Sequence, residues 1–336
     1  MNSLQAEQLC AACGLGALHA GPLAIGGGRL HLIWRLTTER GIFAVKGLNP
    51  ALIRKPGMRD AYRLSERIAA AMISQGVPAV AALACAGDPL QEVDDAVFML
   101  YPWVDGEVLS SAPVEPARTG RIGTILAHMH ALLLHFPELY SSEHHSFLDD
   151  DWDMLTFHAA AQDIPWAYQV RAALPRLIEW SRWDAEAETK LASRLVVSHR
   201  ELDQTNVIWR DAQTPVIIDW EAAGLINPTV ELAGSALSWS GLRAGEVRED
   251  IFTALVEAYM EAGGTISNES SDVIGGVIGA WLGWLRFTMR RSFGESTTSE
   301  EERLLNVQET LNTLAILRLL GQHWETWAAW VEKWRS

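Results

Sequence analysis

Cysteine is scarce, with Cys10, Cys13 and Cys85 the three examples in 336 residues. Three thiols cannot build a disulfide framework. Cys10 and Cys13 make a C-x-x-C, but no second pair or thioredoxin-like context accompanies it. The sequence therefore reads all three as ordinary apolar residues of a protein in a reducing cytoplasm. Positive charge is also short, with 27 Lys and Arg against 42 Asp and Glu, a net charge of −15. Such a chain repels a phosphate backbone, which argues against nucleic-acid binding. It weakly favours a cationic small partner. No apolar run is long enough to cross a membrane. Val273 to Leu285 stops at Arg286, short of the roughly 18 to 20 residues a spanning helix needs. No Lys or Arg precedes Arg29, so a positively charged secretory start is not expected. The pattern G-x-x-x-x-G-K-[ST] is missing, which disfavours a P-loop NTPase.

Apolar residues are plentiful, at 49%, enough for a large core. The length suits two units better than one. In the first hundred residues, Gly26, Gly27 and Gly28 precede Leu30, Leu32 and Trp34, which alternate with Arg29, His31 and Arg35. This predicts a half-buried hairpin with Leu30, Leu32 and Trp34 facing inward. Ile42 to Val45 continues it as a second strand ending at Lys46, and Arg59 to Gln75 reads as a helix stopped by Gly76 and Pro78. Val97 to Leu100 is a short buried strand before the breakers Pro102 and Gly106. Beyond about residue 105 the pattern is mainly helical, apart from a β-rich patch over 195–219. Leu304, Val307, Leu311, Leu314 and Leu317 form a late amphipathic stripe. Sheet first and helix afterwards predicts an α+β chain.

The strongest chemical signal is His199-Arg200-Glu201-Leu202-Asp203-Gln204-Thr205-Asn206. Its spacing is that of a phosphoryl-transfer loop, H-R-D-x-x-x-x-N, with Glu201 where Asp is expected. Thirteen residues after Asn206 comes the apolar strand Ile217-Ile218 ending in Asp219, followed by Trp220 and Glu221. Phosphate-bound Mg²⁺ prefers oxygen ligands and takes only one or two from protein. Asn206 and Asp219 are the candidate metal ligands. Glu201 is the candidate base that orients an acceptor hydroxyl at the γ-phosphate.

The segments from Ser198 to Trp209 and from Ile217 to Pro228 resemble the catalytic loop and metal-acid strand of the aminoglycoside phosphotransferase family. The resemblance implies a two-lobed protein-kinase-like fold, ATP and Mg²⁺ as cofactors, and phosphorylation of a small hydroxylated acceptor such as an aminoglycoside-like antibiotic. It places a nucleotide-binding N-lobe at 1–100, a hinge at 101–106 and a helical C-lobe at 107–336. It implies that Lys46 holds the α and β phosphates, with Glu66 as its partner on the helix, and that Gly26, Gly27 and Gly28 let the backbone approach phosphate. Leu100 and Pro102 belong to the implied adenine-binding hinge strand. No A-P-E pattern follows Asp219, which disfavours a protein kinase.

Other candidates are weaker. His130 sits in an apolar helical pattern and reads as structural. Asp149, Asp150, Asp151 and Asp153 surround Trp152, which suits either an amine-bearing acceptor or a solvated loop. Trp281, Trp284, Arg286, Arg290 and Arg291 either line the acceptor cleft, or the Trp pack and the Arg lie at the surface. Glu201 is one methylene longer than the expected Asp, a displacement of about 1 Å that can cost on the order of 10²-fold in rate. Three outcomes are open: the loop retracts, Asp203 shares or braces the role, or transfer is lost and a nucleotide-binding pseudokinase remains. Related folds phosphorylate amino alcohols and sugars as well, and the motifs do not separate these acceptors. They do not fix ATP against GTP, nor the oligomeric state.

Overall fold

The computed structural model describes residues 1–26, 30–109, 114–140 and 150–335, with the side chains of Asp150 and Asp151 left out. Two compact units emerge. One holds 1–107 together with 206–223, and the other holds 108–205 together with 224–336.

The first unit is built on a five-stranded antiparallel sheet. Its strands are β1 (Leu18–Ile25), β2 (Leu32–Thr38), β3 (Gly41–Gly47), β4 (Gln91–Val93) and β5 (Ala96–Pro102), in the order β1-β2-β3-β5-β4. Helix α1 (Ser3–Ala12) starts at a reciprocal cap, in which Asn2 accepts from the Gln5 N–H and Gln5 accepts from the Asn2 N–H. It buries Ala6, Leu9 and Cys10 against Trp34, Leu36, Val45 and Leu100, which share one face of the sheet. A short helix α2 (Pro50–Ile53) leads to α3 (Met58–Ser74), whose buried residues Tyr62, Ser65, Glu66, Ile68, Ala69 and Met72 recur at helical spacing. The opposite face of the sheet packs Val97 and Met99 with Tyr62, Leu48 and Ile53.

Two expectations change here. Cys13 and Cys85 form a disulfide, with Cα atoms 5.0 Å apart across 72 residues of sequence. The reading of all three cysteines as ordinary apolar residues therefore holds for Cys10 alone. Cys10 is buried in the core, while Cys13, the C-cap residue just beyond α1, bonds to Cys85 in the segment before β4. The hairpin alternation is also shifted. Trp34 and Leu36 are inside, but Leu32 is exposed and His31 is buried. Leu32 starts the strand and has nothing packed over it, whereas the His31 ring finds hydrogen-bond partners on both nitrogens.

The chain leaves the first unit within the two-residue strand β6 (Glu107–Val108). The second unit is helical: α4 (Pro116–Ala131), α5 (Asp150–Ala161), α6 (Ala167–Leu191), and then a small antiparallel pair of β7 (Val196–Ser198) with the later strand Gly224–Ile226. Strands β8 (Val207–Trp209) and β9 (Pro215–Ile217) belong to the first unit, and β10 is the Gly224–Ile226 partner of β7. Helices α7 (Pro228–Trp239), α8 (Glu249–Glu261), α9 (Ser270–Ser292) and α10 (Glu300–Glu332) complete the unit. Asn227 caps α7 by accepting from the Thr229 and Val230 N–H groups, with Pro228 at the first helical position. In the late stripe, Val307, Leu314 and Leu317 are buried on α10, while Leu304 is exposed. None of the described helices is long and apolar enough to cross a membrane.

Helices α6 and α9 approach closely at Gly279, where an added methyl carbon would stand 1.8 Å from Asp184 Oδ1. Burial, with a smaller push from Glu188, raises the Asp184 carboxyl to about 7. A carboxyl raised in the folded state favours folding below its unfolded value and loses that contribution as pH rises toward 7. Asp184→Asn removes the titration. The variant should be more stable than the parent at pH 8, by about 1–3 kcal/mol after allowing for partial solvent screening, and should lose the parent's decline between about pH 4 and 7. Thermal melts of both proteins across that range check it. A parent whose decline is matched by the variant would show that Asp184 does not titrate there.

Candidate active site

In the first unit, the site is assembled on the face of the sheet turned toward α3. Ile33 on β2 and Met99 on β5 flank Lys46 in register, so side chains two residues along these strands share its face. Lys46 is 7% exposed. A buried ammonium needs counter-charge. Lys46 Nζ donates to Asp219 Oδ1 at 2.5 Å and to Glu221 Oε2 at 3.1 Å. Burial pulls the Lys46 ammonium down, but the two carboxylates outweigh it and hold its value raised. Burial likewise pushes the Glu221 carboxyl up, and Lys46 with His31 reverses this to about 2.

Asp219 reaches Lys46 because of the β8–β9 hairpin. Val207 pairs with Ile217, and just beyond this register the Ile218 N–H donates to the Asn206 carbonyl at 2.9 Å. Asn206 and Asp219 therefore stand beside each other at the open end of one hairpin. Segment 78–80 runs along the other side of β9, with the Ile217 N–H donating to the Pro78 carbonyl and the Val80 N–H to the Ile217 carbonyl. Asp219 itself has φ 63°, a left-handed conformation that a non-glycine residue adopts only where its surroundings fix it.

Glu66 does not pair with Lys46 as expected. Its Oε1 accepts from the Tyr101 hydroxyl at 2.8 Å and its Oε2 from the Ala82 N–H at 2.5 Å. Burial raises the Glu66 carboxyl, opposed by those two hydrogen bonds and by the more distant Lys46. Both oxygens are engaged, and the lysine has found its partners on the 219–221 turn instead. Leu100 is fully buried in the core against α1, on the face away from Lys46, and its carbonyl accepts from the Leu83 N–H. Pro102 is exposed at the end of β5. Gly26 ends just after β1, while Gly27 and Gly28 lie outside the described residues.

In the second unit, the loop from His199 to Thr205 is fixed from beneath. His199 is fully buried. Arg200 has φ 71°, so the chain turns sharply just before Glu201. Glu231, 3% exposed on α7, accepts from the Arg200 N–H at 2.6 Å and pairs with His130 Nε2 at 2.8 Å. His130 Nδ1 meets the Tyr259 hydroxyl at 3.0 Å. Burial pushes the Glu231 carboxyl up, and its His130, Ser198 and Arg200 partners outweigh this, leaving it lowered. Glu201 is exposed. Asp203 Oδ1 accepts from the Thr205 N–H and hydroxyl at 2.8 and 2.5 Å, and Asp203 Oδ2 lies 4.0 Å from Arg243. Asp203 thus braces the loop turn.

Arg243 continues outward to Glu309 at 3.2 Å and lies over the Trp281 ring at 4.8 Å, while Trp284 donates to the same Glu309. Arg286 and Arg291 are interior residues. Arg286 covers the Trp152 ring, and Arg291 donates to the Ser296 carbonyl and to Glu302. Arg290 is exposed beside Glu295. Trp152 is fully buried and donates to Ser181, so its ring is not offered to a ligand. Asp153 is exposed, Asp149 lies outside the described residues, and no side chain is described for Asp150 or Asp151.

Sequence reasoning missed His31 and Glu231 and assigned no role to Glu221. Glu221 was visible, two residues after Asp219. His31 looked like a polar position of an alternating strand, and Glu231 falls in the first turn of α7, where an acid is ordinary.

No curated protein matches the chain. Among solved structures, spectinomycin phosphotransferase in complex with ADP and spectinomycin is similar at TM-score 0.71 and 12% identity, covering 96% of this chain and 99% of that one. An ethanolamine kinase of Plasmodium vivax is similar at TM-score 0.58 and 13% identity, with 88% and 81% covered. A macrolide 2′-phosphotransferase of Brachybacterium faecium reaches TM-score 0.54 at 16% identity, with 91% and 96% covered. These likenesses show a kinase-like α+β fold. Residues 23–264 match the model of the APH family, the phosphotransferase enzyme family, and over that majority of its length the chain belongs to it.

Proposed function

We propose that the chain is an ATP-dependent kinase that phosphorylates a hydroxyl of a small polar molecule. The observation that carries this reading is the meeting of Lys46 with Asp219, 173 residues apart in sequence, beside Asn206 at the open end of one hairpin. A buried lysine next to a carboxylate and an amide oxygen is the donor set for a metal-complexed triphosphate. The Asp219 carboxylate and the Asn206 side-chain oxygen are hard ligands that fit Mg²⁺. Mg²⁺, when bound, would neutralise charge on the β and γ phosphates. Residues 1–100 would serve as the nucleotide lobe, 101–106 as the hinge and 107–336 as the acceptor lobe. Lys46 would hold the α and β phosphates, and Glu201 would accept the hydrogen bond of the attacking hydroxyl. The acceptor class spans the hydroxylated antibiotics and amino alcohols handled by proteins of this fold, such as spectinomycin, macrolides and ethanolamine.

The exposed Glu201, in place of Asp, favours a second reading: a pseudokinase that binds Mg·ATP without transfer. Calorimetric titration with Mg·ATP, followed by ADP release assays over a panel of aminoglycosides, macrolides and amino alcohols, separates them. Binding with acceptor-dependent ADP release supports the kinase. Binding without release, in both the parent and Glu201→Asp, supports the pseudokinase. Absence of Mg·ATP binding at millimolar nucleotide would sink both.

A further inference from the structure

We infer that Glu221, pinned by His31, is the lasting anchor of Lys46, in the place the helix residue Glu66 was expected to fill, so that His31 and Glu221 are positioning residues of the nucleotide site. The inference rests on the kinase reading for its functional meaning, but its geometry stands alone. Lys46 holds two carboxylates at once. Asp219 is the more exposed of the two, with 36% of its side chain accessible against 20% for Glu221. Asp219 is also the one a divalent cation would engage, and a cation competes with an ammonium for the same oxygens. A lysine side chain only 9% exposed cannot be left without counter-charge when that happens. Glu221 is the carboxylate that remains.

Glu221 is held in place from the opposite side. His31 Nε2 lies 3.1 Å from Glu221 Oε2, the oxygen that also meets Lys46. The His31 ring has one orientation available. The Asn49 N–H donates to Nδ1 at 3.0 Å, which leaves the ring proton on Nε2, facing Glu221 and the Tyr62 hydroxyl at 2.8 Å. Asn49 in turn caps α2, and Tyr62 is a core residue of α3. One imidazole therefore ties the start of β2, the cap of α2 and helix α3 to the turn that carries both lysine partners.

Glu66 cannot take over this task without giving up its own. Its oxygens secure Tyr101 on β5 and the Ala82 N–H. Ala82 belongs to the segment whose earlier residues, 78–80, hydrogen-bond to Ile217. Glu66 thus supports the strand leading to Asp219, and Glu221 supports the lysine.

The test uses the full chain with two readouts, one of which needs no nucleotide. In unfolding double-mutant cycles, Lys46→Met combined with Glu221→Gln should show a coupling of about 10-fold or more in the unfolding constant. Lys46→Met combined with Glu66→Gln should show under about 2-fold. In calorimetric titrations with Mg·ATP, Glu221→Gln should raise Kd about 10-fold or more, and Glu66→Gln by less than about 3-fold. His31→Phe should weaken binding several-fold, and His31→Gln, which restores a donor near Nε2, should recover most of the loss. That pair decides the matter if Glu221→Gln does not fold. Larger coupling and a larger Kd change for Glu66→Gln than for Glu221→Gln would overturn the inference. So would equal binding by His31→Phe and His31→Gln. Failure of the parent to bind Mg·ATP would remove the kinase reading, while the unfolding cycles would still decide which carboxylate anchors Lys46.

Discussion

Asp219→Ala should lower phosphoryl transfer by at least about 10³-fold, with the protein still folded. The residue has two duties that end together. On the proposed reading its carboxylate would be the hard metal ligand at the hairpin end, and it supplies one of the two negative partners of Lys46. Removing the ligand would loosen the divalent cation whose charge would stabilise the transferring phosphate, and neighbouring groups cannot replace the carboxylate. Asn206 carries no charge, and Glu221 is already shared between Lys46 and His31. Folding should suffer less, because Lys46 keeps Glu221 and Asp219 is partly exposed. Steady-state ADP release by parent, Asp219→Ala and Asp219→Asn, with melting curves for each, separates the two effects. A folded Asp219→Ala protein with parental turnover would mean that the metal site is elsewhere.

How much of this was readable in the sequence depends on the range of the signal. Asp219 and Asn206 were visible because both sit in one short stretch, in a spacing that matches a phosphoryl-transfer loop and the acid strand after it. Lys46 was visible because it ends an apolar strand. The sheet followed by helices was readable from periodicity, since alternation over 30–36 and the helical spacing of α3 are local patterns. What failed was pairing across long separations. Glu66 looked like the natural partner of Lys46, but the Tyr101 hydroxyl and the Ala82 N–H claim it, and neither carries a sequence mark. His31 immediately precedes β2, and the alternation of that segment assigns it to solvent. Its burial is possible only because Asn49, Tyr62 and Glu221 satisfy both ring nitrogens, and no local pattern encodes three partners at such distances. The disulfide escaped for a similar reason, since the near pair of cysteines is the unbonded one and the bonded pair is 72 residues apart. Glu231 was hidden by its position in a first helical turn, where an acid needs no special explanation.

Glu201→Gln should reduce turnover by about 10²- to 10⁴-fold while leaving Mg·ATP binding near the parental value. Glutamine keeps the length of the side chain and removes its capacity to take a proton, so the loss measures the base. The alternative base is Asp203, and the geometry weighs against it. One Asp203 oxygen is spent on the Thr205 N–H and hydroxyl, and the other faces Arg243 at 4.0 Å, so neither is turned to an acceptor. Glu201 is exposed, and its backbone is fixed by the left-handed Arg200 and by the Glu231 carboxylate that receives the Arg200 N–H. A rigid backbone under a longer side chain lets the carboxylate be placed by rotamer choice without a shift of the loop. Glu201→Asp should then fall short of its hydroxyl by about 1 Å and lose up to about 10²-fold, less than Glu201→Gln. Asp203→Asn should chiefly lower the melting temperature, because it weakens the brace and its contact with Arg243. Single-turnover rates and melting curves for the three variants test this order. If Asp203→Asn lost turnover while Glu201→Gln kept it, the proton acceptor would have to be reassigned to Asp203. Retention of parental rates by both would leave the loop with no base, and the attacking hydroxyl would have to lose its proton directly to the phosphate.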